Sequence, residues 1–289
     1  MRILITGNTG HIGREVTQAI AGAGHTLRTL DQAAQPRNDP WDHYPADIRS
    51  IGEVRRAAQG MDAVVHLAAV PGDRSGNPNE VFTTNVVGTW NVLLAAAEAG
   101  VERVIFFSSV NSLGNFQGHR TTLYFPIDDA YPRHPVSPYQ LSKHLGEEMC
   151  RSFTLRTGMV TIALRPMFVT HPEYYAHWKD PSFYGFHRET RGKVDYWSYV
   201  DVRDVVAAVM ASLTAQGLAH DAFLLAAEDT TLDIPTPDLI ARHYPDVPWR
   251  VDRDAYFAEN PYRSVVDCTH AREVLGWWPS HSWRQEIGG

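Results

Sequence analysis

Positive charge is scarce in this chain: 26 lysines and arginines stand against 33 aspartates and glutamates over 289 residues, a formal charge of -7. Such a balance gives no basic field to hold a polyanion, which argues against nucleic acid or an anionic membrane surface as partner and leaves a small-molecule substrate as the expectation. Cysteine is scarcer still. Cys150 and Cys268 are the only two, and neither stands in a CxxC or Cys/His ligand spacing, so neither dithiol chemistry nor structural zinc is expected and a reducing compartment is the default. No apolar run reaches the roughly 18 residues of a spanning helix, and MRILITG passes from one positive charge straight into a β-rich run, unlike a signal peptide. A cytoplasmic protein is therefore expected. Repeats are absent. The 14 histidines include no HExxH or similar pair, so no metal is expected.

What the chain does contain is alternation. With 44% hydrophobic residues it can bury a sizeable core, and short apolar runs recur at 2–6, 25–30, 63–67, 104–108 and 160–164. Segments with helical spacing separate them, among them 81–99, which stops at Gly100, and 139–157, which stops at Gly158. This βαβ order predicts an α/β fold, a doubly wound parallel Rossmann sheet covered on both faces. The spacing assigns 1–165 to that domain and 166–289 to a smaller, loop-rich substrate lobe, with 200–228 returning to the sheet as a helix (202–213) and a strand (222–226). The stretch 171–197, crowded with His, Tyr, Trp, Phe and Arg, lacks periodicity and is expected over the sheet's carboxyl edge, where such folds bind ligands.

Gly7, Gly10 and Gly13 in ITGNTGHIGR follow the first strand and open the first helix. Glycines let backbone approach a pyrophosphate whose charge the helix N-terminus favours, so Thr9, His11 and Ile12 fall in the same turn; His11 reads equally as a tolerated substitution. Asp31 ends the second strand 18 residues after Gly13. A carboxylate there accepts ribose hydroxyls and repels a 2′-phosphate, favouring NAD over NADP. A solvated strand end is the alternative for Asp31, and Arg28 or Arg37 would readmit NADP.

Tyr139 and Lys143 in YQLSK lie four apart on a helix, hence on one face. An ammonium beside a phenol stabilises phenolate and should lower a pKa of about 10 toward neutrality. An aromatic stacked under a lysine stem is the plainer alternative. Ser108 and Ser109 end the strand of VIFFSSVNSLG, where a hydroxyl can hold a substrate oxygen; Ser108 suits a strand-capping role better.

Together these motifs resemble the extended short-chain dehydrogenase/reductase superfamily, the NAD-dependent epimerase/dehydratase family. The resemblance runs from ITGNTGHIG through HLAA, TNVVGT, FFSSVNSLG, SPYQLSK and LRPMFV to LGWWPSHSW. It implies a catalytic Ser109, counted back from Gly114, with Tyr139 as acid/base and Lys143 also binding the nicotinamide ribose. By the same resemblance Asp47 and Ile48 hold adenine, Leu67, Ala68 and Ala69 line the cofactor, and Asn85 lies near it. It further implies a homodimer through the helices 81–99 and 139 onward. Two departures bear on substrate: where nucleotide-sugar enzymes of this family carry an asparagine and an arginine, Phe168 and Trp197 stand. The missing diphosphate grip points to a smaller sugar, sugar acid or polyol, as in the uronate dehydrogenases the sequence loosely resembles. Asn111 would then contact a substrate hydroxyl, or merely form a turn. The cluster His171, His177, His187, Arg188 and Arg191 reads either as carboxylate recognition or as a solvated loop. Dehydrogenation, epimerisation or dehydration, and a non-catalytic NAD sensor all remain open; the intact triad favours an enzyme.

Overall fold

The computed structural model describes residues 1–34, 39–73, 77–178 and 189–287. Its strands are β1 (Arg2–Thr6), β2 (Thr26–Asp31), β3 (Asp42–Pro45), β4 (Ala63–His66), β5 (Arg103–Phe107), β6 (Val160–Pro166), β7 (Phe168–Thr170), β8 (Tyr199–Asp201) and β9 (His220–Leu225). Seven form one sheet in the order β3-β2-β1-β4-β5-β6-β9, every pairing parallel. β7 and β8 pair separately beyond it. The doubly wound sheet expected from the sequence is present.

The strands read as unbroken apolar runs because both faces are covered. Ile3 and Ile5 of β1, Ile105 and Phe107 of β5, and Ile162 and Leu164 of β6 enter one core with Val16 and Ile20 of helix α1 (His11–Gly22) and Val205 and Val209 of helix Val202–Thr214. The intervening Leu4, Val104, Phe106 and Ala163 enter the other. They meet Val54 of α2 (Ile51–Ala58), Leu93 of α4 (Gly88–Glu98) and Phe153 of α5 (Pro138–Thr157). Burying each Ile, Leu, Val or Phe contributes about 1.5–3 kcal/mol, so these two layers supply most of the stability.

Two expectations need correction. The helix foreseen at 81–99 starts earlier, as α3 (Pro78–Phe82) capped by Asn77, and is interrupted by a π-helical turn at Thr83–Val87 before α4. β3 was not foreseen, because an edge strand reading DHYP has no apolar run to betray it. α5 begins with a reciprocal cap: Ser137 Oγ accepts from the Gln140 N–H at 3.2 Å while Gln140 Oε1 accepts from the Ser137 N–H at 3.3 Å. Gly158, at φ 77°, ends it. Among the described residues no helix is long and apolar enough to cross a membrane.

His66 closes β4 and is buried between two threonines, with Nδ1 2.7 Å from Thr6 Oγ1 and Nε2 3.0 Å from Thr89 Oγ1. Thr6 Oγ1 also accepts from the Ala68 N–H at 3.3 Å, tying the imidazole to the loop that leaves β4. Burial, reinforced by the charge of Lys143, takes this imidazole down from 6.5 to about 3. A base whose folded pKa is depressed stabilises the fold above its unfolded pKa. That contribution should be lost as pH falls from 6.5 toward 3, at roughly 1.4 kcal/mol per pH unit. Thermal melts at a series of acidic pH values check this: the wild type should lose melting temperature more steeply than His66→Gln, and equal slopes would refute it.

Candidate active site

At the carboxyl edge the chain leaves β1 and β4 on opposite faces of the sheet, and the crevice between them is a cleft of about 880 Å3. Gly7 and Gly13 make its floor possible. Gly7 sits at φ +79°, and a Cβ there would lie 2.6 Å from the Ala68 nitrogen; a Cβ at Gly13 would lie 2.0 Å from the Gly7 carbonyl oxygen. No side chain caps α1 at Gly10, so its first N–H groups face the cleft as anion donors. Asp31 ties this turn to β2, its Oδ2 accepting from Thr9 N–H at 3.1 Å and from Thr9 Oγ1 at 2.8 Å, while Oδ1 accepts from Ala33 N–H at 3.1 Å.

Ser109, Tyr139 and Lys143 line the same cleft. Ser109 follows β5, and its Oγ accepts from both the backbone N–H and the side-chain amide of Asn111, each at 3.2 Å. Its own hydrogen is therefore the one left to donate. Tyr139 and Lys143 stand in the first turns of α5, where the Tyr139 N–H donates to Asp73 Oδ1 at 2.8 Å and Lys143 Nζ donates to the Phe107 carbonyl at 2.6 Å. The ammonium lies 5.7 Å from the centre of the Tyr139 ring.

The expected lowering of the phenol by Lys143 is not what this site shows. Enclosure of the hydroxyl pushes Tyr139 up to about 12, with the Ser109 hydroxyl pulling against that and the Asp73 carboxylate adding to it. Lys143, turned to the Phe107 carbonyl, is itself brought down to about 8 by burial, against the opposing pull of Glu147.

Of the other residues anticipated, Thr9, Gly10, His11, Ile12, Ile48, Leu67, Ala68 and Ala69 line the cleft. Asp47, Asn85 and Asn111 are not among its lining residues. Asp47 is held by Arg49, through its backbone N–H at 2.8 Å, Nε at 2.8 Å and Nη2 at 2.5 Å. Arg49 does reach the cleft. Asn85 grips Val70, accepting from its N–H at 2.8 Å and donating to its carbonyl at 3.1 Å. Asn111 Oδ1 is buried without a hydrogen-bond partner. His171 and Phe168 line the cleft, with the His11 and His171 rings 6.3 Å apart edge to face, whereas Trp197 is buried and donates to the Glu189 carbonyl at 2.9 Å. His177 and Arg191 do not line it; Arg37, His187 and Arg188 lie outside the described residues. Gln32, Glu80, Thr84, Met167, Val169 and Tyr174 also line the cleft and were missed. Met167 and Val169 flank Phe168 in LRPMFV, and Thr84 opens TNVVGT, so these were open to inference; Gln32, Glu80 and Tyr174 come from loops and helix turns without a motif.

The family profile described as NAD dependent epimerase/dehydratase family matches residues 3–226. A uronate dehydrogenase of Pseudomonas syringae is 32% identical over 166 residues, covering 57% of this chain and 58% of that protein, so the match spans less than two thirds of its length. A UDP-glucose 4-epimerase of Mycolicibacterium smegmatis is 28% identical and covers 96% of this chain and 94% of its own. Among solved structures, a short-chain dehydrogenase/reductase superfamily protein from Agrobacterium tumefaciens with bound NAD superposes with a TM-score of 0.74. It covers 99% of this chain and 95% of that one at 22% identity, a likeness of fold.

The place of Asp31 at the cleft wall sets a test of nucleotide choice. NAD should bind about ten- to a hundredfold more tightly than NADP, the range of one or two hydrogen bonds to a charged group. Asp31→Ala should narrow that ratio. Calorimetric titration with both nucleotides measures it, and equal or tighter binding of NADP by the wild type would remove the assignment.

Proposed function

Because the chain belongs to the NAD-dependent epimerase/dehydratase family, we propose that it is an NAD-dependent dehydrogenase/reductase acting on a hydroxyl or carbonyl carbon of a small sugar, sugar acid or related polyol. The observation that carries this reading is the convergence of Ser109, Tyr139 and Lys143 on the cleft floored by Gly7, Gly10 and Gly13 and walled by Asp31. The fit to a dinucleotide is tested by the floor itself. A Cβ at Gly10 would meet nothing closer than the Gly7 carbonyl at 3.4 Å, so its Cα faces open cleft where a pyrophosphate can approach.

Bound NAD supplies a hydride acceptor at nicotinamide C4 and, when oxidised, one positive charge. Asp31 would hold the adenosine ribose hydroxyls, and Lys143 would orient the nicotinamide ribose with the N–H bonds not given to Phe107. In the oxidative direction Tyr139 would first lose its own proton to solvent, which the positive charge of oxidised NAD favours, and as phenolate would take the substrate hydroxyl's proton as the carbon gives up hydride; in the reverse direction the neutral phenol would donate that proton. Ser109 donates to the same substrate oxygen, its lone pairs being engaged by Asn111. Asn111 would act from behind Ser109, holding its Oγ with two N–H groups.

A sugar epimerase, which returns the hydride after the intermediate turns over, is the second reading, favoured by the end-to-end match to the mycobacterial UDP-glucose 4-epimerase. Against a nucleotide sugar stands the lining of the cleft beyond Tyr139: Pro166, Met167, Phe168 and Val169 offer no cation for a diphosphate. Arg49 and Lys143 are the only Arg or Lys among the described lining residues, and Arg49 is paired with Asp47. A sensor that binds NAD without turnover would need no triad. The two cysteines, both buried and free, suit the reducing cytoplasm we infer.

A screen of sugars, sugar acids and polyols for NADH formation should find a substrate, and Tyr139→Phe should then lose about two to four orders of magnitude in turnover while NAD affinity stays near wild type. Turnover surviving within a few-fold would remove Tyr139 as the acid/base, whereas a screen in which no compound forms NADH would favour the sensor.

A homodimer is proposed from the apolar surface of the two helices beside the cleft, where Trp90 of α4 and Leu141 and Leu155 of α5 are exposed. Light scattering at micromolar concentration should give about twice the 32.4 kDa of one chain; a mass near that of one chain would count against it.

A further inference from the structure

Glu147 lies one helical turn beyond Lys143 on α5, is fully buried and does not line the cleft. Its Oε1 accepts from Ser108 Oγ at 2.5 Å, from Ser112 Oγ at 2.8 Å and from Arg165 Nε at 3.0 Å. Its Oε2 takes Arg165 Nη2 at 2.8 Å and Arg133 Nη1 at 2.9 Å. Ser108 and Ser112 bracket the turn that presents Ser109, and Arg165 belongs to β6. One carboxylate therefore joins the helix that carries Tyr139 and Lys143 to the turn that carries Ser109, and braces both against the sheet.

We propose that Glu147 is the positioning residue of the triad: it fixes the Ser109 turn relative to Tyr139 and sets a carboxylate one helical turn behind Lys143. This rests on the Ser-Tyr-Lys reading above. Two hydroxyls and two guanidinium groups converge on a carboxylate that does not itself line the cleft but holds Ser108, which does, from behind. Because the guanidinium groups of Arg165 and Arg133 outweigh the penalty of burial, Glu147 stays ionised down to about 2. Its charge acts on Lys143 against the desolvation that brings the ammonium down to about 8. The other charged or titratable groups around it are Asp129, His144, Glu148, Cys150 and His220. Of these, Asp129 and Glu148 sit on the guanidinium side, bound to Arg165 and Arg133 respectively.

The test reads NAD affinity against pH by calorimetry, which needs no substrate. In the wild type the affinity should fall as pH rises past about 8, where Lys143 loses its charge. A flat profile there would fault the role given to Lys143 and not the one given to Glu147. In Glu147→Gln the fall should move down by about one pH unit or more, since a lost neighbouring negative charge leaves the ammonium easier to deprotonate. A folded Glu147→Gln protein whose profile superposes on the wild type overturns the proposal, because a brace that only stabilised the fold would lower the melting temperature without moving that profile. Ser112→Ala covers the case in which Glu147→Gln does not fold. Ser112 is buried and off the cleft, and its side chain donates to Glu147. Its loss should lower kcat by about three- to tenfold on whichever sugar the screen identifies, at unchanged NAD affinity, and an unchanged kcat would overturn the proposal.

Discussion

The cleft depends on one close passage of backbone, where Gly7 at the end of β1 runs against Ala68 at the end of β4 with no room for a Cβ between them. Two parallel strands side by side would ordinarily send their chains outward behind side chains. Here the absence of one lets α1 start directly at the crevice and point its N–H groups into it. The opposite rim is held by polar side chains rather than packing. Thr6 reaches across from β1 to the Ala68 N–H and to His66, His66 reaches Thr89, and Asn85 clamps Val70. Each of these groups is buried and answered, which makes the rim a fixed edge.

The other wall is built on a different principle. α5 lies on the sheet through apolar contacts, joined by polar ones from Lys143 to the Phe107 carbonyl, from Gln140 to the Phe116 carbonyl and from Glu147 to Arg165 and Arg133. Breaking a buried pair from one side costs about 3–5 kcal/mol, whereas replacing it by well-packed apolar groups is often neutral. Stability alone therefore does not call for this cluster. Geometry does, because Ser109 arrives on a strand and turn while Tyr139 and Lys143 arrive on a helix some thirty residues later.

How much of this was legible in sequence follows from the range of each constraint. The glycine turn, Asp31, the capped start of α5 and the four-residue step from Tyr139 to Lys143 are local, and each depends on residue types that few other settings require. The apolar runs gave six of the sheet's seven strands because burial on both faces leaves no polar positions. β3 stayed hidden since an edge strand is held by backbone pairing with β2, which any sequence can make. The pairing of Asp47 with Arg49 two positions on, which brings an arginine to the cleft, was not legible from the motif. The roles of Ser108, Ser112 and Arg165 required knowing that residues 18 to 39 positions away from Glu147 converge on it, which no spacing reveals.

The proton affinities of Tyr139 and Lys143 express a single cause acting on opposite charges. Enclosure disfavours phenolate and ammonium alike, so it lifts Tyr139 to about 12 and lowers Lys143 to about 8, drawing both toward their neutral forms. A positive charge entering the cleft helps the first and harms the second: it draws the phenol down toward the ionised form that accepts a proton, and it repels the ammonium. A site with only these two residues would gain a base by losing its cation. A negative charge set behind Lys143, away from the cleft, offsets the repulsion where it falls without raising Tyr139 by as much. Glu147 occupies that position, whereas Asp73, bound at the Tyr139 end of the helix, pushes the phenol the other way. Under the proposed roles, Asp73 at the start of α5 and Glu147 one turn beyond Lys143 would keep the tyrosine protonated until a cation arrives and the lysine charged after it has.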